Sequence, residues 1–330
     1  MSSLDLPGAV PPPEGSIDAG IAWHLGDPHR EQRLLAEGTG VVDLSNRGVV
    51  TVAGEDRLSW LHSLTSQHVE HLAPGEPATA LILSPNGHVE HELHLVDDGA
   101  TTWIITQPGT TADLVAYLDR MRFMLRVEVA DVSDAYAVVW EPVGEADAGH
   151  PTWLVPEPFA SRGLRGREVV IPRGDLDARL AISSPAGTWA LEALRTAAAM
   201  PRLRCETDHR TIPHEVGWIG PAVHLQKGCY RGQETVARVQ NLGRPPRRLV
   251  LLHLDGSDEV TVAHCDRVFH DGREVGWVGT GARHFELGPI ATAVIKRNVP
   301  VDAELIVRVS GPDGTTADVA ASQEVIVPAD

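Results

Sequence analysis

Apolar positions alternate with polar ones in short runs over most of the chain, and in a few stretches they recur at helical spacing instead. Leu58, Leu61 and Leu64 share one face of a helix predicted over 57–64, and Leu114 and Leu118 point inward from one over 110–121. An Ala-rich stretch at 188–199 carries Trp189, Leu191 and Leu194 for contacts, and Pro201 ends it. Residues 29–37 and 233–239 also read as helices. Short apolar runs at 41–45, 49–52, 78–83, 88–96, 102–105, 127–132, 137–140 and 168–171 predict strands. Pro85-Asn86-Gly87 predicts a hairpin joining 78–83 to 88–96. This mixture makes roughly 48–140 one α+β subdomain, interleaved with a second inside a region spanning 21–245. Gly243-Arg244-Pro245-Pro246 marks a boundary. After it, short strands at 249–254, 260–262, 267–269, 274–280, 290–295 and 304–309 predict a small β-barrel or sandwich over 246–330. Residues 1–20, with Pro11-Pro12-Pro13, read as a disordered arm, and 141–165 as a loop. The stretch 202–226 reads as a long irregular connection carrying Glu206, Asp208, His214, Glu215 and Trp218; such connections are more often functional than idle.

Charge narrows the choice of ligand. The chain has 28 Lys and Arg against 45 Asp and Glu, a formal net charge of −17. That balance disfavours stable nucleic-acid or anionic-membrane binding and requires a local basic pocket for any small anion. Residues 1–15 lack the apolar core of a signal peptide, and no apolar run is long enough to span a membrane. Cys205, Cys229 and Cys265 are odd in number and widely spaced, which argues against a disulfide framework and for a reducing cytoplasm.

The densest chemistry lies in Lys227-Gly228-Cys229-Tyr230-Arg231-Gly232-Gln233-Glu234. Lys227 and Arg231 flank a thiol, an arrangement that favours its thiolate, and the glycines permit positive φ or a close approach to a ligand. The helix that begins at Gln233 places the turn near a helix N-terminus, which also favours negative charge. A surface turn with an incidental cysteine fits the same spacing. His88, His91 and His94 cannot converge on one ion from a strand, because His91 faces away from the other two. His62, His68 and His71 are spaced more loosely, so no metal site is read from either set. The three cysteines do not provide the closely spaced thiolates of a stable iron–sulfur cluster. There is no P-loop and no dinucleotide fingerprint.

That octet resembles the KGCYxGQE motif of the YgfZ family, which is related to the folate-binding T-protein of the glycine cleavage system. Pro213-His214-Glu215-Val216-Gly217, Val42-Asp43-Leu44-Ser45, Val52-Ala53-Gly54, the Asn86-Gly87 hairpin and Gly276-Trp277-Val278-Gly279 are similar to segments of the same families. The resemblance runs from about residue 40 to 300. It implies a three-domain ring around a central hole that holds tetrahydrofolate or a related reduced folate, with a C-terminal barrel. It also implies support of iron–sulfur cluster assembly or repair through the motif cysteine, with assembly proteins or client enzymes as partners. On this reading Cys229 is the functional thiol, with Lys227 beside it. Glu215 stands where T-proteins place a carboxylate, and a carboxylate accepts two parallel N–H bonds from a pterin edge. Trp218 and Tyr230 are candidates for the ring wall, or plain core packing. Arg238, Arg244, Arg247 and Arg248 are candidates for the folate carboxylates, or a solvated face.

Four positions depart from the family pattern. Ala197 replaces a usual Glu, Ala199 and Arg204 replace usual glycines, and Glu92 stands in the run where T-proteins carry a catalytic Asp. The extra methylene of Glu92 moves its oxygens by about 1 Å, a misplacement that can cost on the order of a hundredfold in rate. Tetrahydrofolate-dependent aminomethyl or one-carbon transfer is therefore the alternative reading, and thiol oxidoreduction at Cys229 a weaker third.

Overall fold

Two five-stranded sheets and a closed six-stranded barrel form the protein in a computed structural model that describes residues 2–142, 149–256, 261–310 and 315–328. The first sheet runs in the order Pro185–Ala186, Val41–Asp43, Tyr136–Pro142, Gly166–Pro172, Thr152–Leu154. Its strands are antiparallel except where Val41–Asp43 pairs in parallel with Pro185–Ala186. Helices Pro28–Ala36 and Thr188–Ala197 bury Leu35, Ala190, Leu191 and Leu194 in the core on this sheet.

The second sheet runs Pro77–Leu83, Val89–Asp97, Thr101–Thr106, Gly48–Ala53, Glu128–Asp131 and is wholly antiparallel. Helices Arg57–Leu64 and Thr111–Met121 cover it, with Leu61, Leu64, Leu114 and Leu118 buried as their spacing predicts. The Asn86-Gly87 hairpin closes between its first two strands; Gly87 has φ +78°.

The barrel closes in the order Arg247–Leu254, Gly288–Lys296, Arg273–His284, Arg267–His270, Leu305–Ser310, Thr316–Val325. Val250, Leu252, Val268, Val278, Ile295 and Val307 fill its interior. A further apolar cluster ties the barrel to the second sheet: Leu81, Leu83 and Val89 meet Val216, Trp218, Tyr230, Leu249 and Val294.

Several expectations need correction. Residues 2–20 are fastened to the body at Ser3 and Asp18 rather than forming a free arm, although most of the segment is exposed. The Ser3 N–H donates to Asp43 Oδ2 at 3.0 Å, the Ala22 N–H donates to Ser3 Oγ at 2.9 Å, and Asp18 is 3% exposed. Polar side chains fasten this segment, so apolar periodicity could not reveal it. The predicted 141–165 loop contains the strand Thr152–Leu154, paired with Arg167–Val169; it is too short to show alternation, and residues 143–148 lie outside the described ones. The helix Leu176–Ile182 was not anticipated. In the barrel, Val262 is a core residue outside any strand, and Val260 is outside the described residues. The final strand, Thr316–Val325, buries mainly Val319 and Ala321, too little apolar signal to read in advance.

Candidate functional site

Charged side chains gather where the three units meet. Glu92 and His94 project from the strand Val89–Asp97. The Leu203 N–H donates to Glu92 Oε2 at 2.9 Å, and Gln107 Nε2 donates to the same oxygen at 3.3 Å. Glu92 Oε1 lies 3.5 Å from His94 Nε2. On the other side of the ring, His94 Nδ1 is 2.9 Å from Glu168 Oε2, and the second Glu168 oxygen pairs with Arg47. Trp153 stacks on His94 with ring centroids 3.7 Å apart. Burial disfavours charge on His94, but Glu168 and Glu92 outweigh it and raise its pKa to about 9. Burial likewise opposes charge on Glu168, yet Arg47 and His94 lower its pKa to about 2.

Arg202 links this group to the N-terminal segment and to the long helix. Its guanidinium forks onto Asp18 at 2.9 and 2.6 Å, donates to Gln107 Oε1 at 2.8 Å and lies 3.3 Å from Glu192. Arg195 pairs with Glu192 at 2.9 Å and Glu206 at 3.1 Å. Glu206 in turn accepts from Thr280 at 2.7 Å and Thr292 at 2.6 Å, both on barrel strands. Three polar atoms of the network are buried without a hydrogen-bond partner: Asn46 Oδ1, Arg47 Nε and His94 Nε2.

The backbone keeps the geometry of the missing glycines. Ala199 has φ +53° and Arg204 φ +70°, left-handed values that favour glycine. Both flank Arg202, so the loop that presents this arginine is held in a turn its own residues disfavour.

The motif turn is built differently. Cys229 is exposed. Lys227 is turned inward: its ammonium is held by the carbonyls of His62 and Thr65 at the C-terminal end of helix Arg57–Leu64, where the helix dipole favours a cation. Burial lowers its pKa to about 8, and it lies 4.9 Å over the Tyr230 ring. Arg231 pairs with Glu90 at 3.0 Å. Both cations expected to flank the thiol are therefore engaged with other partners. Gly232 has φ +82°, and a Cβ there would meet Ser84 O at 2.6 Å, so the turn packs backbone to backbone against the Asn86-Gly87 hairpin.

The expected folate ligands do not converge. Glu215 is fully buried, and its carboxylate is used internally: Arg247 donates to both oxygens at 2.7 Å and the Ile212 N–H donates at 3.1 Å. Arg247 also forks onto Asp208 and covers the Trp277 ring at 4.9 Å. It lines a cavity of about 360 Å³ with Asp208, Trp277 and Lys296. Trp218 and Tyr230 belong to the apolar cluster under the barrel, which is the packing reading of both. Arg238 is exposed and pairs with Glu234 on its own helix. Arg248 is buried, donating to the Val299 carbonyl at 3.1 Å and to Gln323 at 2.7 Å. Of the predicted residues, only Glu92 lies in the charged junction. Arg47, His94, Glu168, Glu192 and Arg202 were missed as a site; their signal was a charge inside an otherwise apolar run, as at Glu168.

Residues 25–140 match the GCVT N-terminal domain, and residues 247–324 match the glycine cleavage T-protein C-terminal barrel domain. The chain carries both T-protein domains. Similar proteins include the aminomethyltransferase of Nostoc sp., 25% identical over 319 residues that span 84% of this chain and 83% of the relative. The aminomethyltransferase of Synechococcus sp. (strain RCC307) is 27% identical over 85% of this chain and 86% of its own length. That of Geobacillus kaustophilus is 26% identical, covering 82% of each. The crystal structure of glycine cleavage system aminomethyltransferase T from Bartonella henselae superposes with a TM-score of 0.73 over 90% of this chain and 88% of that one, at 15% identity, so the T-protein fold is shared. No helix among the described residues is long and apolar enough to cross a membrane.

Proposed function

We propose that this T-protein-like chain binds a reduced folate, tetrahydrofolate or a close relative, in the charged junction around Glu92 and His94. We further propose that Cys229 gives it a separate thiol-dependent role in supporting iron–sulfur enzymes, as the YgfZ-like motif implies, in the cytoplasm. The observation that carries the folate reading is the half-satisfied network: inside a T-protein fold, Asn46 Oδ1 and Arg47 Nε are buried without hydrogen-bond partners, and His94 Nε2 makes no hydrogen bond, with only the Glu92 carboxylate 3.5 Å away. Leaving such a group unsatisfied costs about 1–3 kcal/mol, which a polar ligand recovers. A pterin edge has both N–H donors and acceptor atoms, so it can answer an amide oxygen as well as cationic N–H groups. The exposed Cys229 sulfur, on a turn anchored by Lys227, supports the second role, with assembly proteins or client enzymes as partners.

Titration of the protein with 5-formyltetrahydrofolate, followed by tryptophan fluorescence, tests the folate reading. Saturable binding is expected, weakened about tenfold or more by His94→Asn through the loss of a charged hydrogen-bonding group. No binding, or unchanged affinity in the variant, would move the folate elsewhere. The second reading is aminomethyl transfer with Glu92 in place of the usual Asp, favoured by the aminomethyltransferases to which the chain is similar. Turnover of an aminomethylated carrier in the presence of tetrahydrofolate selects that reading; binding without turnover selects the accessory role.

A further inference from the structure

We propose that His62, His68 and Glu70 form a binding site for a divalent transition-metal ion of the zinc class, beside the Cys229 turn and separate from the folate junction. The sequence spacing argued against it, but the fold collects these residues. One ligand atom from each lies within 4.8 Å of the others. Two more imidazoles rim the group: the His71 and His224 rings have centroids 5.7 and 5.5 Å from that of His68.

The frame that holds them is preformed. Helix Arg57–Leu64 ends just after His62, and the chain turns through Thr65 and Ser66. Ser66 Oγ donates to the Ala222 carbonyl at 2.7 Å and accepts from the Leu81 N–H at 2.9 Å, while the Ser66 carbonyl accepts from the His224 N–H at 3.0 Å. These bonds fix the turn that brings residues 68–71 back toward the helix end, and they fix His224 beside it.

The donor set suits the ion. Imidazole and carboxylate are ordinary zinc ligands, with Zn–N distances of about 2.0–2.1 Å, which places neighbouring ligand atoms about 3.3 Å apart in a tetrahedron. His62 Nε2 and Glu70 Oε2 are now 4.0 Å apart. Closing that gap needs only side-chain rotation, since His68 and Glu70 are exposed. His62 Nδ1 is buried without a partner. Lys227, whose ammonium is held by the His62 and Thr65 carbonyls, is the opposing charge near the site, and Glu70 supplies a negative one within the ligand group.

Titration of the full-length protein with zinc chloride by calorimetry, and with cobalt chloride by visible absorption, tests the site. One equivalent of zinc is expected, with a cobalt spectrum of low coordination number. Removing one of three ligands by His68→Ala or Glu70→Gln should weaken zinc about tenfold or more. Both residues are exposed, so folding is spared, and His209→Ala, on another exposed segment, should change nothing. Absence of stoichiometric binding, wild-type affinity in His68→Ala, or an equal loss in His209→Ala would overturn the proposal. None of these variants touches Glu92 or His94, so its failure leaves the folate reading unaffected.

Discussion

The junction and the motif turn are both rich in charge, and they handle it in opposite ways. At the junction Asp18, Glu92, His94, Glu168, Arg195, Arg202 and Glu206 are between 0 and 4% exposed, and every one is paired. At the turn, Cys229 is exposed and the Arg231–Glu90 pair is about one-third exposed on each side. Buried pairs are costly to break because the survivor is left as a lone charge, whereas exposed pairs contribute little. The contrast separates stability from chemistry. Changes at the junction should damage the fold and the ligand site together, whereas changes at the accessible positions of the turn, Cys229 and Arg231, should spare both; its buried members, Lys227 and Tyr230, belong with the fold.

The largest test is Arg202→Met. It strands Asp18 and removes one partner of Glu192 and Gln107. Unfolding in urea should show a loss of about 3–5 kcal/mol. A loss below about 1 kcal/mol, the range of exposed pairs, would break the comparison.

Next comes pH. His94 titrates near 9 in the folded protein against an ordinary 6.5, so its contribution is fully present below pH 6.5 and is lost as pH rises through 9. Stability should therefore fall across that window, and the fall should vanish in His94→Gln. Lys227 has the opposite sign: its folded value of about 8, against 10.5, makes stability rise above pH 8. The interval from 6.5 to 8 is thus the cleanest. At the acid end, Glu168 holds its contribution above 4.5 and loses it as pH falls through about 2.

The smallest effect has the reverse direction. Ala199 and Arg204 occupy left-handed backbone. Ala199→Gly should raise the unfolding free energy by about 0.5–1 kcal/mol, the left-handed penalty less the entropy glycine gains on unfolding. A loss instead would mean that the Ala199 methyl, which is fully buried, contributes more by packing than the backbone loses in strain.

What could be read from the chain beforehand follows from range. The helix 57–64, the Asn86-Gly87 hairpin and most barrel strands declare themselves within a dozen residues, so periodicity and turn chemistry suffice. The junction does not. Asp18 and Arg202 are 184 residues apart, and Arg47 and Glu168 are 121 apart; only the tertiary fold brings them together. Glu215 illustrates the same limit. Its place in the motif points to a pterin acceptor, but its carboxylate is taken by Arg247, 32 residues further on. The thiol was legible as a motif, but the inward turn of Lys227 was not, because its acceptors lie more than 160 residues earlier. The spacing of the histidines around His68 likewise gives no sign of a cluster, because the turn that assembles them is supplied only by the fold.

The central claim is that folate binding and the thiol role are housed separately. The most direct measurement carries Cys229→Ser through two readouts: folate titration of the purified protein, and rescue of iron–sulfur enzyme activity in cells lacking the wild-type chain. The account predicts folate affinity within about twofold of wild type, stability within about 0.5 kcal/mol as for other exposed substitutions, and no rescue. Full rescue by Cys229→Ser, or loss of folate binding in parallel with loss of rescue, would contradict it.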